Sequence, residues 1–315
     1  PQAYNNGAHT TMAGLTLCAL LGNLGKPGAS YGAYWTVGIV NNPAYTAPNG
    51  PSTGFSIQSV DFKNVVETGK FGGEDAPIKM LWVYSANPVN THTDTHAWTD
   101  TIIPAMNYVV VADSVMTDTA KYADMVLPIA QWFELEEVSN AGQTSSLNYN
   151  EKAIDPLYES KPDPQIVSEL AQKLGLGDYF SLDNGGILKE MMDTPIGTAL
   201  GQAMGDLREK KQVRVVPGDA EKKPHIAYEN GAFGTATGRF EFYRENPLPR
   251  AATTKVPTAE EIEINRMAHW FPPLEAWPEN ELYKKYPLVL MSERPRYRVH
   301  SQWLSTPLLR ELAPE

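Results

Sequence analysis

Two stretches decide the reading of the fold. Ile78-Lys79-Met80-Leu81-Trp82-Val83-Tyr84 stops in Ser85-Ala86-Asn87-Pro88, and Tyr108-Val109-Val110-Val111-Ala112 stops at Asp113. Between them Ala97, Ile102, Ile103 and Met106 recur at roughly helical spacing. Two short continuous apolar runs joined by a helical segment predict a βαβ unit with buried parallel strands. Ligands of such units sit at the carboxyl ends of the strands, here Ser85-Ala86-Asn87 and Asp113-Ser114. Asn87 both donates and accepts, and the Asp113 carboxylate takes two N–H donors at once. A carboxylate so placed suits a guanine edge or a ribose diol. The same residues also read as ordinary punctuation, Asn87-Pro88 as a turn starter and Asp113 as a helix N-cap.

Working outward, 315 residues suffice for one large or two medium domains with a sizeable core. A content of 42% hydrophobic and 20% charged residues is that of a globular protein. The net charge of −11 argues against nucleic acid as a partner, because phosphate binding needs a basic surface. No apolar stretch reaches the ~18 residues of a membrane span. The single cysteine, Cys18, sits in the apolar helical stretch Leu15–Leu21 and reads as packing. A cubane iron–sulfur cluster needs about four cysteines, so this chain holds none, and it forms no internal disulfide. That leaves the redox compartment open. No signal peptide is visible. The chain opens on Pro1 without methionine and stops at Glu315 after an amphipathic segment, which reads as an internal fragment of a longer polypeptide.

The string from Leu81 to Pro128 resembles the dimethyl sulfoxide reductase family of molybdopterin oxidoreductases. The pieces that carry the resemblance are Asn87-Pro88 after a strand, Val110-Val111-Ala112-Asp113, Thr117-Asp118-Thr119-Ala120, and Tyr122-Ala123-Asp124-Met125-Val126-Leu127-Pro128. Gly22-Asn23-Leu24-Gly25-Lys26-Pro27-Gly28, the Glu159-Ser160-Lys161-Pro162-Asp163 run before a helix, and Gly238-Arg239-Phe240-Glu241-Phe242-Tyr243 extend it along the chain. It implies an α/β fold: a mostly parallel sheet with flanking helices, plus a less regular, partly β C-terminal segment. It also implies a dinucleotide-binding domain over 1–211, a strand-containing connecting region over 212–285, and the start of a C-terminal β-barrel domain over 286–315.

The resemblance further implies a bis(molybdopterin guanine dinucleotide) cofactor carrying Mo or W. Matched residue by residue, Asn87, Asp113 and Asp163 hold its guanosine tail, and Ser85, Ala112 and Thr117 line the same site. Gln2 and Asn6 contact the pterin from the opening loop, where Asn5-Asn6-Gly7 also reads as a plain turn. Ser292, Arg298, His300 and Ser301 contact the pterin from the polar, basic loop near the C-terminus, where Arg294 and Arg296 add charge suited to phosphate or pterin oxygens. One departure stands out: Leu135 occupies the place of a basic cofactor contact, and Glu136-Glu137 follow, an acidic run that reads as a solvated helix face. The molybdenum ligand and any iron–sulfur cluster fall upstream, so no catalytic residue and no metal ligand is assigned here. His92 and His96 have the spacing of a metal pair on one helical face, without a third ligand.

Elsewhere, a helix runs through Met12, Leu15, Ala19 and Leu20 to a glycine stop. A short helix falls near Val60–Glu67, within a Gly- and Pro-rich region. The resemblance implies that its Tyr34, Trp35 and Tyr45 line a substrate funnel, and aromatics exposed by loss of an interface explain them equally well. An amphipathic helix spans Gln165–Gly175, and 181–211 is helical with Ile187, Leu188, Met191 and Met192 inward. Strand character returns over 212–257, above all in Gly238–Tyr243, and again in Pro287–Met291, with a Pro-rich charged linker over 244–285.

The expectation is a fragment of the catalytic subunit of a molybdopterin-dependent oxidoreductase, inactive alone, whose parent performs two-electron or oxygen-atom transfer on a small-molecule redox substrate. The partners implied are a membrane anchor subunit, together with an iron–sulfur electron-transfer subunit. The location implied is the periplasm or the outer face of the cytoplasmic membrane, with the cytoplasm also open. Two other readings remain: a non-catalytic scaffold subunit of a redox complex, and an unrelated nucleotide-binding α/β enzyme.

Overall fold

The computed structural model describes residues 7–29, 57–139, 146–180, 188, 203–214, 226–247, 259–273, 277–291 and 296–313. Gln2, Asn6, Tyr34, Trp35, Tyr45, Ile187, Met191, Met192, Ser292 and Arg294 lie outside them. The chain divides into two compact units, one of Tyr34–Asp219 and one joining Pro1–Ala33 to Ala220–Glu315.

The first unit is built on a parallel three-stranded sheet. Helix α2 (Phe62–Thr68) and a two-stranded hairpin of β1 (Lys70–Phe71) and β2 (Glu74–Asp75) lead into β3 (Met80–Tyr84), an outer strand of that sheet. The central strand β4 (Tyr108–Asp113) pairs with β3 from Met80↔Tyr108 to Tyr84↔Ala112, and β5 (Met125–Pro128) pairs with β4 from Val110↔Met125 to Asp113↔Pro128. The apolar run Val109–Ala112 is buried throughout, so both faces of β4 are covered, as the unbroken hydrophobicity of a parallel strand requires. Val83, Val109, Val111 and Ala120 form one core cluster, against which Leu81, Ile103, Met106 and Val126 pack. Burying each such valine contributes roughly 1.5–3 kcal/mol.

The connection from β3 to β4 is helical but not a regular α-helix. After the single turn α3 (Pro88–Thr91), Ala97–Ile102 is π-helical and Ile103–Ala105 is 3₁₀. Ala97, Trp98 and Ile102 still turn inward with Val89, so the apolar spacing marked the buried side correctly. Trp98 stacks on Phe62 of α2 with ring centroids 5.7 Å apart.

A second sheet in this unit is antiparallel: β6 (Glu137–Ser139), β7 (Ser146–Asn150) and β8 (Gln212–Arg214), in that order. Helix α4 (Asp163–Lys173) follows with Ala171 buried, and α5 (Ala203–Lys210) runs directly into β8. Glu136-Glu137 are not a helix face. Glu137 opens β6, and Glu136 Oε1 accepts from Tyr149 Oη at 2.7 Å and from Arg208 Nη2 at 2.8 Å. A carboxylate with a phenol and a guanidinium in reach is better satisfied in this sheet than on a solvated helix.

In the second unit α1 (Gly7–Leu20) ends in a Schellman turn, with Asn23 N donating to Cys18 O and Gly22 N to Ala19 O around the left-handed Gly22. The described parts of the stretch read as a linker carry local structure. Helices α6 (Ala259–Ile264) and α7 (Glu281–Lys285) lie in it, Arg244 N donates to Arg266 O, and His269 N donates to Nδ1 of the buried His9 on α1.

Two expected strands are not strands. Gly238–Tyr243 is a chain of turns: Phe233 N donates to Gly238 O, Thr235 Oγ1 to Arg239 O and Thr237 Oγ1 to Glu241 Oε1. Phe233, Phe240 and Phe242 pack edge-on against one another, so the alternating aromatics serve a local cluster and not a ladder. Pro287–Met291 is outside any ladder, with Leu288, Leu290 and Met291 almost wholly exposed. Among the described residues no strand lies beside it. Helix α8 (Pro307–Leu312) closes the described chain.

Candidate functional site

Parallel pairing puts the carboxyl ends of β3, β4 and β5 at one edge, and with them Ser85, Asn87, Ala112, Asp113 and Thr117. Ala112 is buried in the ladder opposite Tyr84, so only its backbone is at the edge. Asp113 ends β4. Its Oδ1 accepts from Ser114 N at 2.7 Å, which turns the chain, while among the described residues no hydrogen bond is recorded to Oδ2. No helix starts here, so the carboxylate caps a turn and not the helix read after it, and it keeps an oxygen for a further donor. Ser85 and Ala86 are exposed beside it, and Ser85 has the left-handed φ of +49° that non-glycine residues avoid.

Asp163 joins this edge through the backbone. Ile129 N donates to Asp113 O, Lys161 N to Pro128 O and Ala130 N to Lys161 O, so the Lys161-Pro162-Asp163 segment continues the edge past β5. Asp163 is the first residue of α4, following Pro162, where the helix N-terminus favours a negative charge. Glu137 also faces this side. Although solvent reaches it, the surrounding protein and the Asp163 carboxylate push its carboxyl pKa up.

Asn87 is placed differently from its neighbours. It is only 7% exposed, and its Oδ1 accepts from Thr119 N at 3.1 Å and Thr119 Oγ1 at 2.8 Å. Its side chain also reaches the Asp118 carboxylate, whose pKa is held down chiefly by Lys121. Thr117 Oγ1 accepts from Ala120 N at 3.2 Å. Two side chains that order this edge escaped sequence reading. Thr119 stood inside the quoted Thr117-Asp118-Thr119-Ala120 string without a role. Glu134 is 6% exposed, and accepts from Gln131 N and Leu157 N. For Glu134 the available signal is a charged residue between the apolar Phe133 and Leu135; Thr119, preceded by Asp118, carries no such signal.

The C-terminal candidates belong to the other unit. Arg298 Nη2 donates to Ala313 O at 2.6 Å while its buried Nε has no partner among the described residues, and Arg296 lies over the ring of Tyr297. His300 is exposed with φ +52°, beside the Val299↔Gln302 bridge, and Ser301 is half-buried. His92 and His96 do not converge: the buried Nδ1 of His92 has no partner among the described residues and its ring lies 5.2 Å from Trp98, whereas His96 Nδ1 is 3.1 Å from Asp100 Oδ2. Among the described residues no group of three or more His, Cys, Asp or Glu is placed to hold a metal ion.

The carboxyl edge of a parallel sheet is where α/β proteins of this class place their ligands. A sequence model of the family described as molybdopterin oxidoreductase matches residues 1–173, more than half of the chain, and the chain belongs to that family. It is 29% identical over 313 residues to a putative dimethyl sulfoxide reductase catalytic chain of Halobacterium salinarum, covering 95% of this chain and 34% of that protein. It is 26% identical over 336 residues to the dimethyl sulfoxide reductase DmsA of Escherichia coli, covering 98% and 40%. With a dimethyl sulfoxide/trimethylamine N-oxide reductase of Rhodobacter capsulatus it shares 26% identity, covering 98% and 41%. The chain thus spans about a third to two fifths of the length of these relatives. Among solved structures, acetylene hydratase from Pelobacter acetylenicus superposes with a TM-score of 0.61 at 20% identity, over 80% of this chain and 32% of that one, which shows a shared fold.

Proposed function

We propose that the chain is part of the catalytic polypeptide of a dimethyl sulfoxide reductase-like enzyme and binds part of a bis(molybdopterin guanine dinucleotide) cofactor. The observation that carries this is the edge where Asp113, with a carboxylate oxygen to offer, and Asp163, at the start of α4, are brought together by backbone bonds across Pro128–Lys161. One carboxylate at a strand end and one at a helix start, on the same edge, fit the N–H pair of a guanine and a ribose diol. Asp113 and Asp163 hold the guanosine tail, the exposed Ser85 contacts it, and Asn87 orders the loop behind them. Thr117 and the backbone at Ala112 shape the same edge. Gln2, Asn6, Ser292, Arg298, His300 and Ser301 are proposed for the pterin.

When bound, such a cofactor supplies two-electron or oxygen-atom transfer at molybdenum or tungsten, while the protein supplies binding and orientation. The parent acts on a small-molecule redox substrate in the periplasm or at the outer face of the cytoplasmic membrane. Its partners are a membrane anchor and an iron–sulfur electron-transfer subunit. Among the described residues no helix is long and apolar enough to cross a membrane.

The test is the full-length protein produced anaerobically, with Mo and W measured by elemental mass spectrometry and pterin by fluorescence after oxidation. Metal and pterin together are the expected result. A folded protein with neither, from a host competent in cofactor synthesis, refutes the reading and favours a scaffold role.

A further inference from the structure

Thr119 is wholly buried and touches nothing outside the protein, yet it makes three hydrogen bonds at the centre of the candidate edge. Its backbone N–H and its hydroxyl both donate to Asn87 Oδ1, and its hydroxyl oxygen accepts from Val89 N at 3.1 Å. One residue away, Asp118 Oδ2 accepts from Asn90 Nδ2 at 3.0 Å. These bonds join the loop that leaves β3 to the loop that leaves β4, across about thirty residues of sequence. A buried polar knot in which the named groups are matched holds one arrangement, because any other leaves buried polar atoms unpaired.

Ser85 is the residue this knot constrains. Tyr84 is fixed in the ladder opposite Ala112, and Asn87 is fixed by Thr119, so Ser85-Ala86 must span two anchored points. Within that span Ser85 takes its left-handed φ of +49°, a strained conformation that persists only where the surroundings impose it. The strained residue is exposed, next to Asp113, at the edge where the ligand is expected.

We propose that Thr119 is a positioning residue for this edge: with Asn87 it forms a buried lock that holds Ser85 left-handed and so presents the Ser85-Ala86 backbone to the guanosine part of the ligand. Asn87 acts through this lock and makes no contact with the ligand. The proposal rests on the reading of this edge as a guanosine cradle.

The experiment uses the full-length protein, with and without its cofactor. In the holoprotein, hydrogen exchange of the peptide covering 84–91 is followed by mass spectrometry. In cofactor-free protein, guanosine 5′-monophosphate is titrated by calorimetry, with adenosine 5′-monophosphate as control. Thr119→Val removes the hydroxyl at nearly constant shape. It raises exchange in 84–91 and weakens guanosine monophosphate binding about tenfold or more, while Thr119→Ser restores both. Adding Ser85→Gly to Thr119→Val recovers part of the affinity, since glycine adopts the left-handed conformation unaided. A loss caused by general destabilisation is not rescued in this way. Ser85→Val leaves the buried lock untouched and also weakens binding, because a β-branched residue resists positive φ. Unchanged exchange in Thr119→Val, or no recovery with Ser85→Gly, overturns the lock. Wild-type protein that ignores guanosine monophosphate while exchange still responds to Thr119→Val overturns the guanosine reading, and with it the lock's role in binding.

Discussion

Glu134 Oε1 accepts the backbone N–H of Leu157 at 2.8 Å, across 23 residues of sequence. Its Oε2 accepts from Gln131 N at 2.6 Å. The carboxylate thus fastens the 3₁₀ turn Trp132–Glu134 to the loop that leads to Asp163. Ala153 N and Ile154 N, which both donate to Phe133 O, complete the join. A buried carboxylate with two N–H donors organises the backbone around it.

Replacing Glu134 with alanine leaves those two N–H groups without their acceptor. We expect unfolding stability to fall by about 2–4 kcal/mol, and by less for Glu134→Gln, which keeps one acceptor. Equilibrium urea unfolding measures it, with the exposed Glu159→Ala as a control that shifts stability by no more than about 0.5 kcal/mol.

Gly25 and Gly28 separate two effects of a glycine. Both have positive φ, +78° and +71°. A Cβ on Gly25 meets Tyr228 O at 2.6 Å, whereas a Cβ on Gly28 meets nothing within 4 Å. Gly28→Ala should cost only the left-handed strain, about 1–2 kcal/mol. Gly25→Ala should cost clearly more, because a backbone carbonyl must move. Thermal unfolding of the two variants side by side checks the order.

His9 is 8% exposed, and burial, then the neighbouring His269 and the Arg244 guanidinium, lower its pKa. The native state therefore holds His9 neutral, while the unfolded chain protonates it near pH 6.5. As pH falls below about 6.5 the unfolded state binds the extra proton first, so stability drops until the lowered native pKa is passed. His92, lowered by burial, acts with the same sign. Urea midpoints between pH 7.5 and 5 should fall, and less steeply in His9→Gln; identical slopes would refute the assignment.

Glu136 shows the opposite charge type. The Tyr149 hydroxyl above all, and then Arg208, hold its carboxyl below the usual range against the effect of burial. Its stabilising contribution is present above the ordinary glutamate pKa and is lost as pH falls through the lowered native value. Tyr149→Phe should move the Glu136 titration upward. Carboxyl carbon NMR reads that shift directly, and an unmoved titration would show that Arg208 and not the phenol sets it.

How much of this was legible depends on the range of each interaction. Val109-Val110-Val111-Ala112 declared a strand buried on both faces because hydrophobic content is a property of the residues themselves. Asp113 and Asn87 were placed at strand ends by the same reasoning. Gly238–Tyr243 misled, since alternating aromatics serve a ladder or a local cluster equally well and the choice belongs to neighbouring chain. The apolar run Pro287–Met291 carried the same ambiguity.

The sequence by itself determined the parallel α/β core, the carboxyl edge as the place of interest and, through its ordered strings, the family. Tertiary structure alone decided that Asn87 faces Thr119, that Glu134 is buried beneath Leu157, and that Ser85 is left-handed. Apolar periodicity is read along one segment, but a polar side chain in a folded interior takes its role from the partner brought to it, and that partner lies tens of residues away.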